Sequence, residues 1–292
     1  MENTNNITQI IINTINSIIE TLISSIDNNL YSVLDDVTFI GSDILNDKNF
    51  ENIFGTSTTN GILLIANSLL LGFILYYAVK HFMAHFTYNQ TETPFSFILK
   101  LILYGIAMNC SFFIISFILD LNFNITFAIR ALGESLFGKS ICFSELINTI
   151  NSKMSIGESS LNIFSLDGLI KGTMSVSLLS LVFSYSLRYV MIKIFILISP
   201  FAILSLTLNN TSWFFKAWFK NLFALLFIQI VVSLILLLLF SIDYSSNNLL
   251  TKFIYVGGIY ALIQANSFVR EFIGGISTNV AQSVKNFTSF IK

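Results

Sequence analysis

Charge is scarce in this chain. Asp, Glu, Lys and Arg make up 11% of it, against roughly 25% in an ordinary soluble domain. Cysteine is almost missing: Cys110 lies in an apolar run and Cys142 in a polar one. That excludes a disulfide framework and a paired Cys-x-x-Cys zinc site. Proline occurs only at Pro94 and Pro200, and tryptophan only at Trp213 and Trp218. The histidines are His81 and His85, one helical turn apart in "HFMAH". Phe82 stands where a zinc protease needs its general-base glutamate, and no third ligand lies nearby. No glycine-rich phosphate loop, nucleophile elbow or pair of intramembrane aspartates is present. The sequence therefore reads as non-enzymatic, and no cofactor or metal is expected. The N-terminus lacks a basic start and a small-residue cleavage site, so no signal peptide is expected.

What is present is apolar. Hydrophobic residues make up 54% of the 292, and 30 are Phe. The fold class is all-α: a polytopic helical membrane protein with about five transmembrane helices and amphipathic helices at both ends. Residues 1–60 form an extracytoplasmic N-terminal region. Ile7, Ile11, Ile15, Ile18, Leu22 and Ile26 make one helical stripe there, and an acidic stretch follows over 27–60. Residues 61–119 hold the first two spans, 62–79 and 95–119. The first ends in Tyr76, Tyr77 and Lys80, as an interfacial anchor does; Pro94 opens the second at a position where a helix tolerates it. Residues 120–170 form an extracytoplasmic loop with amphipathic pieces. Residues 171–270 hold the last three spans, with a cytoplasmic interfacial helix near 211–221. Residues 271–292 form a cytoplasmic amphipathic tail, with Ile276, Val280, Val284, Phe287 and Ile291 on one stripe. No internal repeat is visible.

From Gly172 to Ser199 no proline, glycine or asparagine interrupts, so one helix of about 42 Å is expected; the competing count makes 169–208 two spans with a turn near Arg188, where no turn residue stands. The single helix is ended or kinked by Pro200. Arg188 and Lys193 lie toward its cytoplasmic end, Arg188 about 7–8 Å deeper. Arg188 is either an intramembrane functional charge or a snorkelling cation that fixes orientation. Asn209 and Asn210 turn the chain. Lys216 and Lys220 then share one helix face, while Trp213, Phe214 and Ala217 lie on another, an arrangement suited to lipid headgroups. Gly257 and Gly258 permit close helix packing. The distribution of cations places the N-terminus outside and the C-terminus in the cytoplasm. Lys80, Lys100, Arg188, Lys193, Lys216, Lys220, Arg270, Lys285 and Lys292 are then inside, and Lys48, Arg130, Lys139, Lys153, Lys171 and Lys252 outside.

"LRYVMIKIFILISPFAILSLTLNNTSWFFKAWFKNLFALLFIQ" resembles the central block of the TrbL-type conjugal transfer proteins, relatives of the sixth VirB subunit of type IV secretion systems. The resemblance rests on Arg188, on Pro200 and Ala202, on the aromatic and basic run Trp213 to Trp218, and on Gln229. It implies a channel or scaffold subunit in the membrane core of a conjugation or secretion machine. It further implies a homo-oligomer in contact with other secretion subunits, with membrane lipid and with a separate transfer ATPase. Contact with single-stranded DNA or a protein substrate would be transient. A self-sufficient transporter or permease is the alternative. Its polar candidates are Asn67, Asn109, Gln229, Gln264 and Asn266.

Overall fold

The computed structural model describes residues 10, 14, 17, 31, 33–55, 61–87, 93–153, 166–242 and 249–274. Most of them are helical, and no strand occurs among them. The helices are α1 (Lys48–Phe54), α2 (Gly61–Thr87), α3 (Pro94–Asn109), α4 (Ser111–Phe137), α5 (Phe143–Lys153), α6 (Leu166–Leu204), α7 (Ser212–Phe240) and α8 (Leu249–Ile273). Residues 33–38 are also helical. Among the described residues, four helices are long and apolar enough to cross a membrane: α2, α4, α6 and α7. This is an all-α polytopic membrane protein. Its lipid-facing character shows in burial. Only 11% of the apolar window of α2 and 22% of that of α4 is covered, against 56% for α6 and for α7.

Three boundaries differ from the sequence reading. The expected second span, 95–119, is two helices that meet at Cys110, whose N–H closes α3 on the Ile106 carbonyl. The expected loop from 120 begins instead as the continuation of α4 to Phe137. Asp120, Asn122, Asn124 and Arg130 dilute the apolar run without breaking the helix, because none is a helix breaker. The weakest expected span, 252–269, is helical within α8 but is not among the four. The amphipathic stripes expected over 7–26 and 276–291 lie outside the described residues, apart from Ile10, Thr14 and Ser17, which are helical.

The chain divides into two compact units. The first comprises Met1–Phe39, Asn124–Tyr189 and Phe227–Lys292. Here Asp35 caps α5 from a distance in sequence. Its carboxylate accepts from the Phe143 N–H at 2.8 Å, the Ser144 N–H at 3.2 Å and the Ser144 hydroxyl at 2.8 Å. These N–H groups are among the donors that a first turn leaves open. Arg130 donates to the Ile141 carbonyl at 2.7 Å and lies over the Phe39 ring. Helices approach closely at two glycines. A Cβ on Gly133 would stand 2.5 Å from Ile141 and 2.7 Å from Leu237, and one on Gly258 would stand 2.3 Å from Leu239. Gly257 faces open space, so the expected packing pair reduces to Gly258.

The second unit comprises Ile40–Phe123 and Val190–Leu226. Ala66 of α2, Met108 of α3 and Ile203 and Leu204 of α6 form its core, with Leu70, Phe73, Phe201 and Phe215 against them. Asn67 and Asn109 exchange amide hydrogen bonds of 3.1 and 3.2 Å. Each amide also donates to a carbonyl four residues back in its own helix. In the stretch read as a polar extracytoplasmic region the apolar residues Ile40, Ile44, Leu45, Phe50 and Phe54 are buried, while Asp43 and Asn46 to Asn49 are exposed. Gly61 opens α2 with φ +72, where a Cβ would meet the Ile53 carbonyl at 2.6 Å; only glycine fits that conformation cheaply. Lys193 pairs with Asp47 at 3.7 Å and lies over the Phe50 ring. The charge distribution alone puts those two residues on opposite sides of the membrane. It weighs charges along the chain and is blind to a contact across it.

Candidate functional site

In the first unit, α6 carries Ser184, Tyr185 and Arg188 at a spacing that puts them on neighbouring positions of one helical surface. All three are buried, and Arg188 is 0% exposed. It does not snorkel. Its Nη2 donates to the Thr38 carbonyl at 2.7 Å and reaches Gln229 Oε1 of α7 at 3.5 Å. Its guanidinium lies 5.6 Å from the centre of the Tyr185 ring, within cation–π range.

The local reasons are legible. Residues 33–38 end their helix at Thr38, and the last carbonyls of a helix have no intrahelical donor and carry partial negative charge. Arg188 supplies a cation and a donor there at once. Gln229 is held on α7 by its place in the helix, and Ser233 one turn on donates back to its carbonyl at 3.0 Å. Helix α8 closes the cluster. The Tyr185 hydroxyl donates to the Leu262 carbonyl at 2.9 Å, and the Asn266 amide donates to Ser184 Oγ at 2.6 Å. Leu262 and Asn266 are one turn apart and so share a face.

The site is incompletely satisfied. Among the described residues, Arg188 Nε and Nη1, Thr38 Oγ1 and Asn266 Oδ1 have no hydrogen-bond partner. No carboxylate pairs with Arg188 among the described residues. A buried cation without a counter-ion is costly, several kcal/mol even after relaxation. Inside a membrane such residues mark sites of function by default. The chemistry on offer is recognition of negative charge by a guanidinium fork, with amide and hydroxyl groups around it. Among the described residues no group of His, Cys, Asp or Glu is arranged to hold a metal. His81 stacks on Tyr77, and His85 lies edge-on to Phe86.

Apart from the glycines of α8, the other expected site residues fall in the second unit. Pro200 lies inside α6, which continues to Leu204 before a short 3-10 turn; it does not end the helix. Trp213 is 65% exposed, whereas Trp218 is buried and donates from Nε1 to the Phe195 carbonyl at 2.8 Å. The expected anchor pair is therefore one exposed ring and one core ring. Lys216 and Lys220 are exposed, on the first turns of an α7 that runs unbroken to Phe240. Sequence reasoning singled out Arg188, Gln229 and Asn266 but missed Thr38, Ser184 and Tyr185. The spacing Ser184–Tyr185–Arg188 was the available signal for two of these; nothing local marks Thr38, which contributes only its backbone carbonyl. No protein-family model, curated protein or solved structure matches the chain.

Proposed function

We propose that the chain is a non-enzymatic channel or scaffold subunit of a type IV secretion-like conjugation apparatus, helping to form the path for DNA or protein across the cytoplasmic membrane. One observation carries the reading. Arg188 and Gln229, two of the positions on which the family resemblance rests, meet in one buried site 41 residues apart in sequence. Residues kept only for solubility or orientation would have no reason to converge. In this reading Arg188, buried where the segment ending at Thr38 meets α6 and α7, is a functional charge rather than a structural tie. It sits in a subunit whose exposed apolar helices face lipid and neighbouring copies. The partners are other secretion subunits, including a transfer ATPase.

The test is a mating assay on Arg188→Ala, with membrane levels of the subunit measured in parallel. Loss of transfer with the protein still inserted supports the proposal. Transfer at the native level sinks it. A second reading, a self-sufficient permease, is favoured by the grouping of Arg188, Tyr185, Ser184 and Asn266, since a buried polar cluster around a cation is what an anionic solute would need. Purification as a lone, uniform particle with uptake activity of its own would select that reading.

A further inference from the structure

Away from the Arg188 site, the second unit contains a pocket of about 650 Å³ between α2, α3 and the turn that joins α6 to α7. That is within the range of ligand sites, roughly 300–1,000 Å³. Along α2 its wall runs from apolar Leu69, Gly72 and Phe73 to the cation Lys80, and the turn adds Leu208 beside polar Asn209, Asn210 and Thr211. Lys80 is exposed and pairs with no carboxylate among the described residues. Lys100, outside the lining, adds a second cation beside the turn, donating to Asn209 Oδ1 at 3.1 Å. No acidic side chain lines the pocket among the described residues. Gly72 opens onto it: no atom lies within 4 Å of where its Cβ would stand.

The pocket's height in the membrane follows from the helix. Lys80 is nineteen residues beyond Gly61, the first residue of the α2 span, or about 28 Å of helical rise, close to one hydrocarbon thickness. Tyr76 and Tyr77, which also line the pocket, stand in the zone where aromatic rings favour the headgroup boundary. The polar end is thus at headgroup depth and the Leu69–Phe73 end at acyl depth.

We infer that this pocket binds one anionic phospholipid, its phosphate at Lys80 and the Asn209–Thr211 turn and one acyl chain along Leu69, Gly72 and Phe73. A free anion would use only the polar end and leave the apolar wall empty. A zwitterionic lipid would fill the wall but gain less from Lys80 and Lys100.

The test uses the full chain, delipidated in mild detergent and titrated with phosphatidylglycerol, phosphatidylcholine or inorganic phosphate. Bound species are counted by native mass spectrometry. One phosphatidylglycerol per chain is expected ahead of general lipid adhesion. Lys80→Gln removes an exposed charge without disturbing packing and is expected to weaken it about fivefold, the worth of one cation at an anionic lipid surface. Gly72→Phe fills open space on a helix face and is expected to weaken both lipids by about tenfold or more, through lost acyl contact. Displacement of phosphatidylglycerol by inorganic phosphate would overturn the inference in favour of a simple anion pocket. So would unchanged lipid binding in Gly72→Phe, or in Lys80→Gln, which keeps the test decisive should the glycine variant misfold.

Discussion

Arg188 is held by one short bond to a helix-end carbonyl, a long one to Gln229 and a ring face, while two of its nitrogens lack partners. Such an arrangement is poor evidence for stability, since replacing a buried charge with an apolar side chain of similar volume is often neutral or stabilising, by about 1–4 kcal/mol. Arg188→Met is therefore expected to leave thermal unfolding in detergent unchanged or shifted upward while abolishing transfer. A large drop in the unfolding midpoint would instead mark Arg188 as structural. The two tryptophans make a second contrast. Trp218→Phe removes the bond to the Phe195 carbonyl and is expected to cost about 1 kcal/mol, whereas Trp213→Phe should cost nothing measurable. Unfolding of both variants followed by tryptophan fluorescence and circular dichroism checks this.

Helices are tied together here by small residues and by paired amides. Gly258→Leu would drive its side chain into Leu239 and is expected to cost about 1–3 kcal/mol as overpacking. Gly257→Ala meets nothing and should be neutral or gain up to about 1 kcal/mol of helix propensity. Thermal unfolding of the two variants side by side distinguishes them; equal losses would refute the packing assignment. The Asn67–Asn109 pair joins α2 to the end of α3. A double-mutant cycle with leucine at each position is expected to give a coupling of about 0.6 kcal/mol, the average for hydrogen bonds between membrane helices. Asp35 is the remaining tie: Asp35→Ala leaves the α5 N-terminus uncapped and should cost about 0.5–2 kcal/mol, read by chemical unfolding. Of these three only the glycine was marked by sequence as a packing point. An asparagine in an apolar helix is ambiguous, and an aspartate 108 residues from the helix it caps carries no local signature.

For the whole molecule, the proposed subunit role predicts an assembly. Affinity capture from gently solubilised native membranes, followed by mass spectrometry, is expected to recover a large complex that includes a transfer ATPase; recovery of the chain alone would count against it. The sequence by itself determined the class of solvent and the kind of element. Scarce charge and long apolar runs leave helices in a membrane as the solution that satisfies every backbone group, and those runs were long enough to read α2, α6 and α7 directly. It also made Arg188 conspicuous, because one cation in an apolar run is visible without coordinates. Only the tertiary structure decided where that cation points. Snorkelling and inward burial are the same sequence, and the choice rests on whether a partner is within reach. The partners proved to be a backbone carbonyl at Thr38 and a side chain on α7, both remote in the chain. The burial of Ile40, Phe50 and Phe54 and the Lys193–Asp47 pair were settled the same way. Each depends on a contact between segments far apart in sequence, and hydrophobic periodicity reports only on neighbours within a turn or two of the same helix.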